Sequence, residues 1–555
     1  MPCQEIYDVF FSYARKDSKS AYRIVKALEA AGLKVWIDVN DIPNFKSIVN
    51  SIKSGLACSK IIVAYYSATY PNRQYCQWEF TSAFLAGQRE GDSLSRIVVI
   101  NPESGFAHIM PSEIKGALCK SAPIDIEDES LKDIAESIAK HVSKTSSVIG
   151  QIQTFDLPPW YGRNGIFYQR FVGRLKEMWD IHSKLNSYQH TLDTGGTVQI
   201  SGMGGIGKSL LVEEYAMRFG SAYPGGIFWL SASQVNTNNS DSELLKQIST
   251  VASEIGINIA DLKDQTGADV LPRVIGEVKK FIESSKLPCL WIIDDVPPGI
   301  DSEDLRKWFV PSQYAKTLMT TRSTEYTVAV SVELDVLAPE DAYSLLTSKR
   351  NPKNSNEEII AKQIIELLGY HALAIDVASS ALTYLSYSEL FVILDKPDED
   401  GLEFASSLSG QLPNGHEASI ANTLMKSIDN LSEKAKQLLI ICSNLSLVPI
   451  TKNMIIEIYK LKYKMNHEQA KVETIKNLHE LHSHSLLTLD INAETFQIHE
   501  LIIRAVRFHL LKSGENDDIG VLHPFCQAQF KLELRFLMTK KRSRSSLVVF
   551  KLLCF

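Results

Sequence analysis

The 555-residue chain has no apolar run approaching the roughly 20 residues that a membrane-crossing helix requires. Glu5 and Asp8 stand where a secretory leader would have a basic start and an apolar core, so no signal peptide is expected. The eight cysteines, at 3, 58, 76, 119, 289, 442, 526 and 554, include no C-x-x-C pair. Neither a zinc site nor a disulfide framework is expected, and reduced thiols in a cytoplasmic setting fit best. Positive charge is not in excess: the net charge is -7 and the pI about 6.1, which excludes a general pull toward nucleic acid or anionic membrane. The one basic cluster, Lys540-Lys541-Arg542-Ser543-Arg544, reads as a solvated terminus. No internal repeat is visible at periods of roughly 20–50 residues, so no solenoid or propeller is indicated.

What is present is material for several cores. Hydrophobic residues make up 45% and charged residues 22% of the chain, and domains commonly run to roughly 100–200 residues. Residues 5–145 alternate short apolar strands (7–11, 34–37, 60–66 and 96–100) with amphipathic helical patterns near 18–31, 46–57, 76–89 and 128–143. Such alternation predicts a parallel sheet covered on both faces. Ser146, Ser147, Pro158, Pro159, Gly162 and Gly165 mark 146–170 as a linker. A second strand–helix pattern occupies 171 to about 325, with strands at 198–201, 226–230, 290–293 and 318–321. Beyond it, 337–350, 357–368 and 372–385 carry apolar residues at three- and four-residue spacing, predicting helices. Segments 486–489 and 495–498 read as a hairpin followed by a helix, the ending of a winged helix.

Gly202-Met-Gly204-Gly205-Ile-Gly207-Lys208-Ser209 fits G-x-x-x-x-G-K-[ST], follows an apolar strand and opens a helix, the context that gives the motif meaning. The glycines let backbone N–H groups curl around phosphate oxygens, and the helix N-terminus adds a favourable dipole. Lys208 is expected to reach the β/γ-phosphates and the Ser209 hydroxyl to bind magnesium. Downstream, an apolar strand ends in Asp294-Asp295. Asp294 is suited to hold the magnesium through water and Asp295 to orient an attacking water.

In the N-terminal sheet, ligands are expected beyond the carboxyl ends of the strands, near the point where strand order reverses. Ser12, Asp38 and Ser67 fall just past strand ends, and Glu79 lies in the first turns of the helix after the third strand. These residues are expected to share one rim.

Several blocks carry family resemblances. Tyr7-Asp-Val-Phe-Phe-Ser12-Tyr13 with Asp17, Gly32-Leu-Lys-Val-Trp-Ile-Asp38, Ser67, and Tyr75-Cys76-Gln-Trp-Glu79 resemble, in order, the blocks of a TIR (Toll/interleukin receptor) domain, with tyrosine for tryptophan in the last. The resemblance implies that Glu79 is the glutamate required to break the nicotinamide–ribose bond of NAD. That bond breaks through an oxocarbenium-like state, which a nearby carboxylate stabilises. It further implies that Tyr75 stacks on the substrate and that Arg15 and Phe45 flank the cleft. The Asp38–Phe45 loop is short and lacks the glycine common before the next helix. Phe171-Val172-Gly173-Arg174 resembles the adenine-side motif of NB-ARC domains, the switch ATPases of immune receptors. Arg322 in Thr-Thr-Arg resembles their sensor arginine, Gly369-Tyr-His-Ala-Leu-Ala their G-x-P-L-A segment with alanine for proline, and Ile498-His499-Glu500 their Met-His-Asp motif, whose histidine contacts the ADP β-phosphate.

The resulting expectation is an α/β multidomain protein: a flavodoxin-like TIR domain (1–145), a linker (146–170), a P-loop α/β nucleotide-binding domain (171–325), a helical subdomain (326–420), a winged-helix-like subdomain (421–512) and a tail (513–555). Functionally, it is an ADP/ATP-regulated signalling or defence switch, with NAD as substrate, acting as a homo-oligomer under an unidentified trigger. The alternatives are a non-catalytic adaptor that recruits other TIR proteins, and a simple ATPase. Members of the resembled family commonly append repeats as a sensor. None is legible after His499, so sensing falls to another protein or the sequence is truncated.

Overall fold

Every residue of Val9–Tyr13 is buried, so this strand has no wet face, the pattern of a parallel strand covered on both sides. The computed structural model describes residues 3, 5–38, 48–116, 119–153, 155–163, 171–186, 196–235, 239–262, 270–326, 330–395, 428–429, 431–444, 450–490 and 495–509, and the architecture is that of these residues. Strands β1 (Tyr7–Tyr13), β2 (Val35–Trp36), β3 (Ser59–Tyr65), β4 (Ile97–Asn101) and β5 (Cys119–Ser121) form a parallel sheet in the order β2-β1-β3-β4-β5. Helices α1 (Ser18–Ala30), α2 (Ile48–Ala57), α3 (Gln74–Arg89) and α4 (Asp128–Val142) cover it. Leu28 of α1 and Leu131 and Ile138 of α4 pack with Val9, Ile61 and Ile100 on one face. Each such aliphatic side chain contributes about 1.5–3 kcal/mol by leaving water. β5 was not legible in the sequence because Cys-Lys-Ser is short and not apolar.

One expectation is corrected. Cys3 and Cys58, read as free thiols, form a disulfide with Cα atoms 5.6 Å apart. Cys58 directly precedes β3 and Cys3 lies just upstream of β1, so the parallel pairing of these strands brings the two together. Cys76, Cys119, Cys289 and Cys442 are free.

The second sheet has the order β11-β7-β10-β9-β8-β6, from β6 (Trp160–Tyr161), β7 (Thr197–Ser201), β8 (Ile227–Ser231), β9 (Cys289–Val296), β10 (Ala315–Thr321) and β11 (Val330–Glu333). The edge strand β6 lies inside the stretch read as a linker. It pairs parallel with β8, Trp160 opposite Ile227 and Tyr161 opposite Phe228. Helices α5 (Leu175–Asn186) and α6 (Lys208–Arg218) belong to this layer.

The chain divides into two compact units. The first is Met1–Ile200, Ser209–Thr320 and Thr327–Val332; the second is Ser201–Lys208, Thr321–Tyr326 and Glu333–Phe555. In the second, helices Pro339–Leu346, Ser355–Leu367, Ala372–Ala381 and Tyr387–Leu394 follow one another, the last opened by a Ser386/Glu389 capping box. Helices Glu433–Asn444, Lys452–Tyr463 and His467–Ser483 precede a hairpin of β13 (Leu487–Asp490) and β14 (Thr495–Ile498), with β12 (Ile450–Thr451) on the far side of β14 and helix Glu500–His509 after it. The hairpin falls within a residue of its expected bounds. The tail from 513 lies outside the described residues.

Within the first unit, α3 is held between the two sheets' helices. Phe84 packs edge-on against Trp179 of α5, ring centroids 4.8 Å apart. His182 of α5, buried and driven neutral with its pKa lowered to about 3, takes the Tyr215 hydroxyl on Nδ1 at 3.0 Å and donates from Nε2 to Gln88 Oε1 at 2.9 Å. Arg89 donates to the carbonyls of Ile152 and Ser221. His182→Ala opens a cavity and leaves the Tyr215 and Gln88 polar atoms without this partner, a cost of about 2–4 kcal/mol. The expected outcome is a lower unfolding temperature and faster proteolysis within 146–170; unchanged values of both would contradict the docking described.

Candidate functional site

Glu79 is the sixth residue of α3. Because α3 is buried on nearly every face, this position points at β1 and not at solvent. The residue is 7% exposed, and Ser12 Oγ, near the carboxyl end of β1, donates to its carboxyl group at 2.5 Å. The Tyr70 hydroxyl lies 2.7 Å from the same Ser12 oxygen and donates to the Cys76 carbonyl at 3.2 Å. Burial pushes the Glu79 pKa up to about 8; the Ser12 hydrogen bond opposes this and the Asp38 charge adds to it. Near pH 7 the carboxyl is therefore mostly protonated in this arrangement.

The structure brings Ser12 and Glu79 together as expected, but under cover and not on an open rim. Asp38 instead accepts from the Tyr13 hydroxyl at 2.7 Å, and Ser67 donates to Asp17 at 2.6 Å. Tyr75, one helical turn before Glu79, is 57% exposed, and Arg15 is exposed. Phe45 lies outside the described residues. Tyr70 was missed by sequence reasoning, since it sits in the turn after β3 and belongs to no motif.

The raised pKa has a stability consequence. An unfolded Glu79 loses its proton near 4.5, the folded one near 8. The stability contributed by the protonated form is complete below about pH 4.5 and is lost as pH rises toward about 8. Glu79→Gln keeps the neutral shape at all pH. Its unfolding temperature is expected to gain on wild type as pH is raised from about 5 to about 8; parallel curves would contradict the burial.

The second cluster lies at the carboxyl end of β9, where Ser231 stands opposite Asp294. Asp294 Oδ1 accepts from Ser209 Oγ at 2.7 Å and from Thr320 Oγ1 at 2.6 Å, and the Asp295 N–H donates to that threonine oxygen at 2.7 Å. Burial holds the Asp294 carboxyl above its ordinary range, against the two hydroxyl donors. A hydroxyl beside a buried carboxylate is the hard-oxygen donor set that magnesium takes. Asp295 sits in the left-handed region, φ 56°.

In the second unit, the turn that begins at Gly202 bends back on itself. Lys208 Nζ donates to the carbonyls of Gly202 and Met203 at 2.7 and 2.9 Å. Gly205 is left-handed (φ 75°), and a Cβ there would stand 2.9 Å from His371 Cε1. His371 is fully buried. Its Nδ1 accepts from the Ala374 N–H at 3.3 Å, which assigns the proton to Nε2, and Nε2 donates to the Gly204 carbonyl at 3.0 Å. His499 repeats the device: Nδ1 takes the Leu501 N–H at 3.2 Å and Nε2 donates to the Gly369 carbonyl at 3.0 Å. Burial lowers its pKa. The Arg322 carbonyl accepts from Ser485 Oγ at 2.5 Å. Gly207 is also left-handed. His371 was missed as a contact of the turn; its position in the substituted G-x-P-L-A segment was the available signal. In the first unit, Val172 precedes Gly173 and Arg174, both left-handed, and Arg174 pairs with Glu177 at 3.1 Å.

Residues 9–136 match the model of the TIR domain and residues 176–356 that of the NB-ARC domain. No curated protein matches the chain. Among solved structures, the chain is similar to a Signal Transduction ATPase with Numerous Domains (STAND) protein with a tetratricopeptide repeat sensor from Pyrococcus horikoshii, at 19% identity and TM-score 0.29, over 69% of this chain and 47% of that one. It is also similar to the ORC2 protein of Aeropyrum pernix, seen in ADPNP–ADP complexes, at 15% identity and TM-score 0.39, over 63% of this chain and 97% of that one. A third is Cdc6p from Pyrobaculum aerophilum, at 12% identity and TM-score 0.30, over 63% and 98%. At TM-scores this low the three likenesses bear on neither mechanism nor partners. The chain spans less than half the length of the first of them.

Proposed function

From a chain that carries a TIR domain followed by an NB-ARC domain, we propose a nucleotide-controlled signalling switch whose TIR domain cleaves NAD when the two domains come apart and copies of the chain assemble. The observation that carries this reading is that α3 has two masters. One face holds Glu79 against Ser12; Phe84, Gln88 and Arg89 farther along are bound to α5 and its surroundings.

On this reading the docked state is the restrained one. Glu79 is covered and largely protonated, and a neutral carboxyl does not stabilise a developing oxocarbenium ion. Release of α3 would let the carboxyl meet water, ionise and face the ribose, with Tyr75 and Arg15 already at the surface. Nicotinamide leaves as a neutral base, taking the electron pair of the broken C–N bond, and water or a substrate atom captures the ribosyl carbon. At the nucleotide site, Lys208 would exchange the Gly202 and Met203 carbonyls for phosphate oxygens, the N–H groups from Gly202 to Gly207 would line the phosphates, and Ser209 and Asp294 would hold magnesium. Val172, Gly173 and Arg174 would sit on the adenine side, Asp295 would orient an attacking water, Arg322 would read the γ-phosphate and His499 would meet the β-phosphate of ADP. A ligand shifts such an equilibrium only by its differential affinity for the two states, about 5.5 kcal/mol for a shift from mostly closed to mostly open.

One observation favours the adaptor reading: the Glu79 carboxyl is packed among Ser12, Tyr70 and Cys76 in the manner of a core polar group. The two are separated by incubating the full chain with NAD, with and without ATP, and measuring nicotinamide release. Wild type is expected to release nicotinamide, with ATP raising the rate, and Glu79→Ala to release none. Wild type is also expected to co-purify with ADP, and Lys208→Ala to lose both that ADP and the ATP response. Equal release by wild type and Glu79→Ala would leave the adaptor.

A further inference from the structure

β6 ends at Tyr161, and the chain turns at Gly162 before reaching Arg163. The turn is tightly determined. Gly162 is left-handed (φ 84°), its N–H donates to Glu254 Oε2 at 2.5 Å, and a Cβ there would collide with the Trp229 carbonyl. The Arg163 guanidinium is thereby set 4.7 Å above the Trp229 ring, and its Nη2 lies 3.4 Å from Glu213 Oε2. Glu213 is a carboxylate with a side chain only 2% exposed. It lies four residues after Ser209 on α6, hence on the same face one turn further along. Asp294, which binds Ser209, is near enough to feel the Arg163 charge. The Ser209 hydroxyl that would hold the metal is thus bound to one acid, Asp294, and the Arg163–Glu213 pair lies one turn further along α6.

We propose that Arg163 is a positioning residue of the nucleotide site: it neutralises Glu213 beside the Ser209–Asp294 pair, and so sets how much divalent cation a bound triphosphate requires. This rests on the reading of Gly202–Ser209 as a phosphate site. It goes beyond that reading because Arg163 lies outside every motif of the sequence, in the stretch leading from the TIR domain into the second sheet. The charge state of the nucleotide site is thereby felt by the chain that joins the two domains. A metal held by Ser209 and Asp294 and the Arg163 guanidinium both act on the Asp294 charge, so occupancy of the site alters the field around Arg163.

Electrostatics fixes the signs. Removing the arginine makes the site more negative: metal-free ATP binds more weakly and magnesium is captured at lower concentration. Removing the Glu213 charge does the reverse. At separations of this order in a partly buried site, roughly tenfold changes are expected. The test measures ATP binding by the full chain in EDTA and across a magnesium titration, for wild type, Arg163→Gln, Arg163→Lys, Glu213→Gln and the Arg163→Gln/Glu213→Gln double variant. Arg163→Gln is expected to weaken metal-free ATP roughly tenfold and to lower the magnesium midpoint. Glu213→Gln is expected to move both the other way. The double variant and Arg163→Lys are expected to stay near wild type. A merely structural arginine would move metal-free and magnesium-loaded affinities together, and would not be rescued by removing its partner. That result, or no change, overturns the proposal while leaving the nucleotide reading intact. Wild type binding no more ATP than Lys208→Ala overturns both.

Discussion

Helix α3 cannot satisfy its two neighbours independently. From Cys76 to Gly87 it is buried almost all round, and a helix with no free face is fixed by whatever encloses it. Its beginning is tied to β1 through Glu79 and Ser12, its end to α5 through Gln88 and His182. Interiors packed to this density move between discrete arrangements and do not deform continuously. A displacement of the docked end must therefore be felt at the carboxylate. On the proposed function, that rigidity would let a single buried acid respond to an event on another sheet.

The same helix layer leads to the nucleotide motif. Tyr215, which bonds His182, is on α6, and α6 begins at Lys208 and Ser209. Ser209 is held by Asp294, and Glu213 by Arg163. The contacts that hold α3 and those that would hold a metal are thus opposite ends of one short helix. Buried neutral histidine and buried carboxylate differ in one respect that matters here. The histidine is satisfied at both nitrogens and serves as a rivet. The Glu79 carboxyl is kept from ionising by its burial.

The fold was largely legible because its strands are apolar runs broken by amphipathic helices, and because the phosphate motif sits between a strand and a helix. What escaped was short or polar. β5 is Cys-Lys-Ser, and β6 is a Trp-Tyr pair in a stretch punctuated by proline and glycine, where pairing with β8 overrides local propensity. That Ser12 and Glu79 lie on one side of the sheet was legible in outline, since Ser12 sits near the end of β1 and Glu79 early in the helix after β3. The cover over Glu79 was not, because it comes from packing around α3 that spacing alone does not encode. The Cys3–Cys58 bond was invisible for the same reason: strand order, not cysteine spacing, brings the two together. His371 and Arg163 belong to no intact motif, and only the chain's path reveals their contacts.

On the proposed function, nucleotide state governs the enclosure of α3. Hydrogen exchange of the amides in Gln74–Arg89 measures that enclosure directly. With ATP in place of ADP, these amides are predicted to lose protection in wild type and to show no change in Lys208→Ala. Equal protection of the helix in both nucleotides would contradict the account.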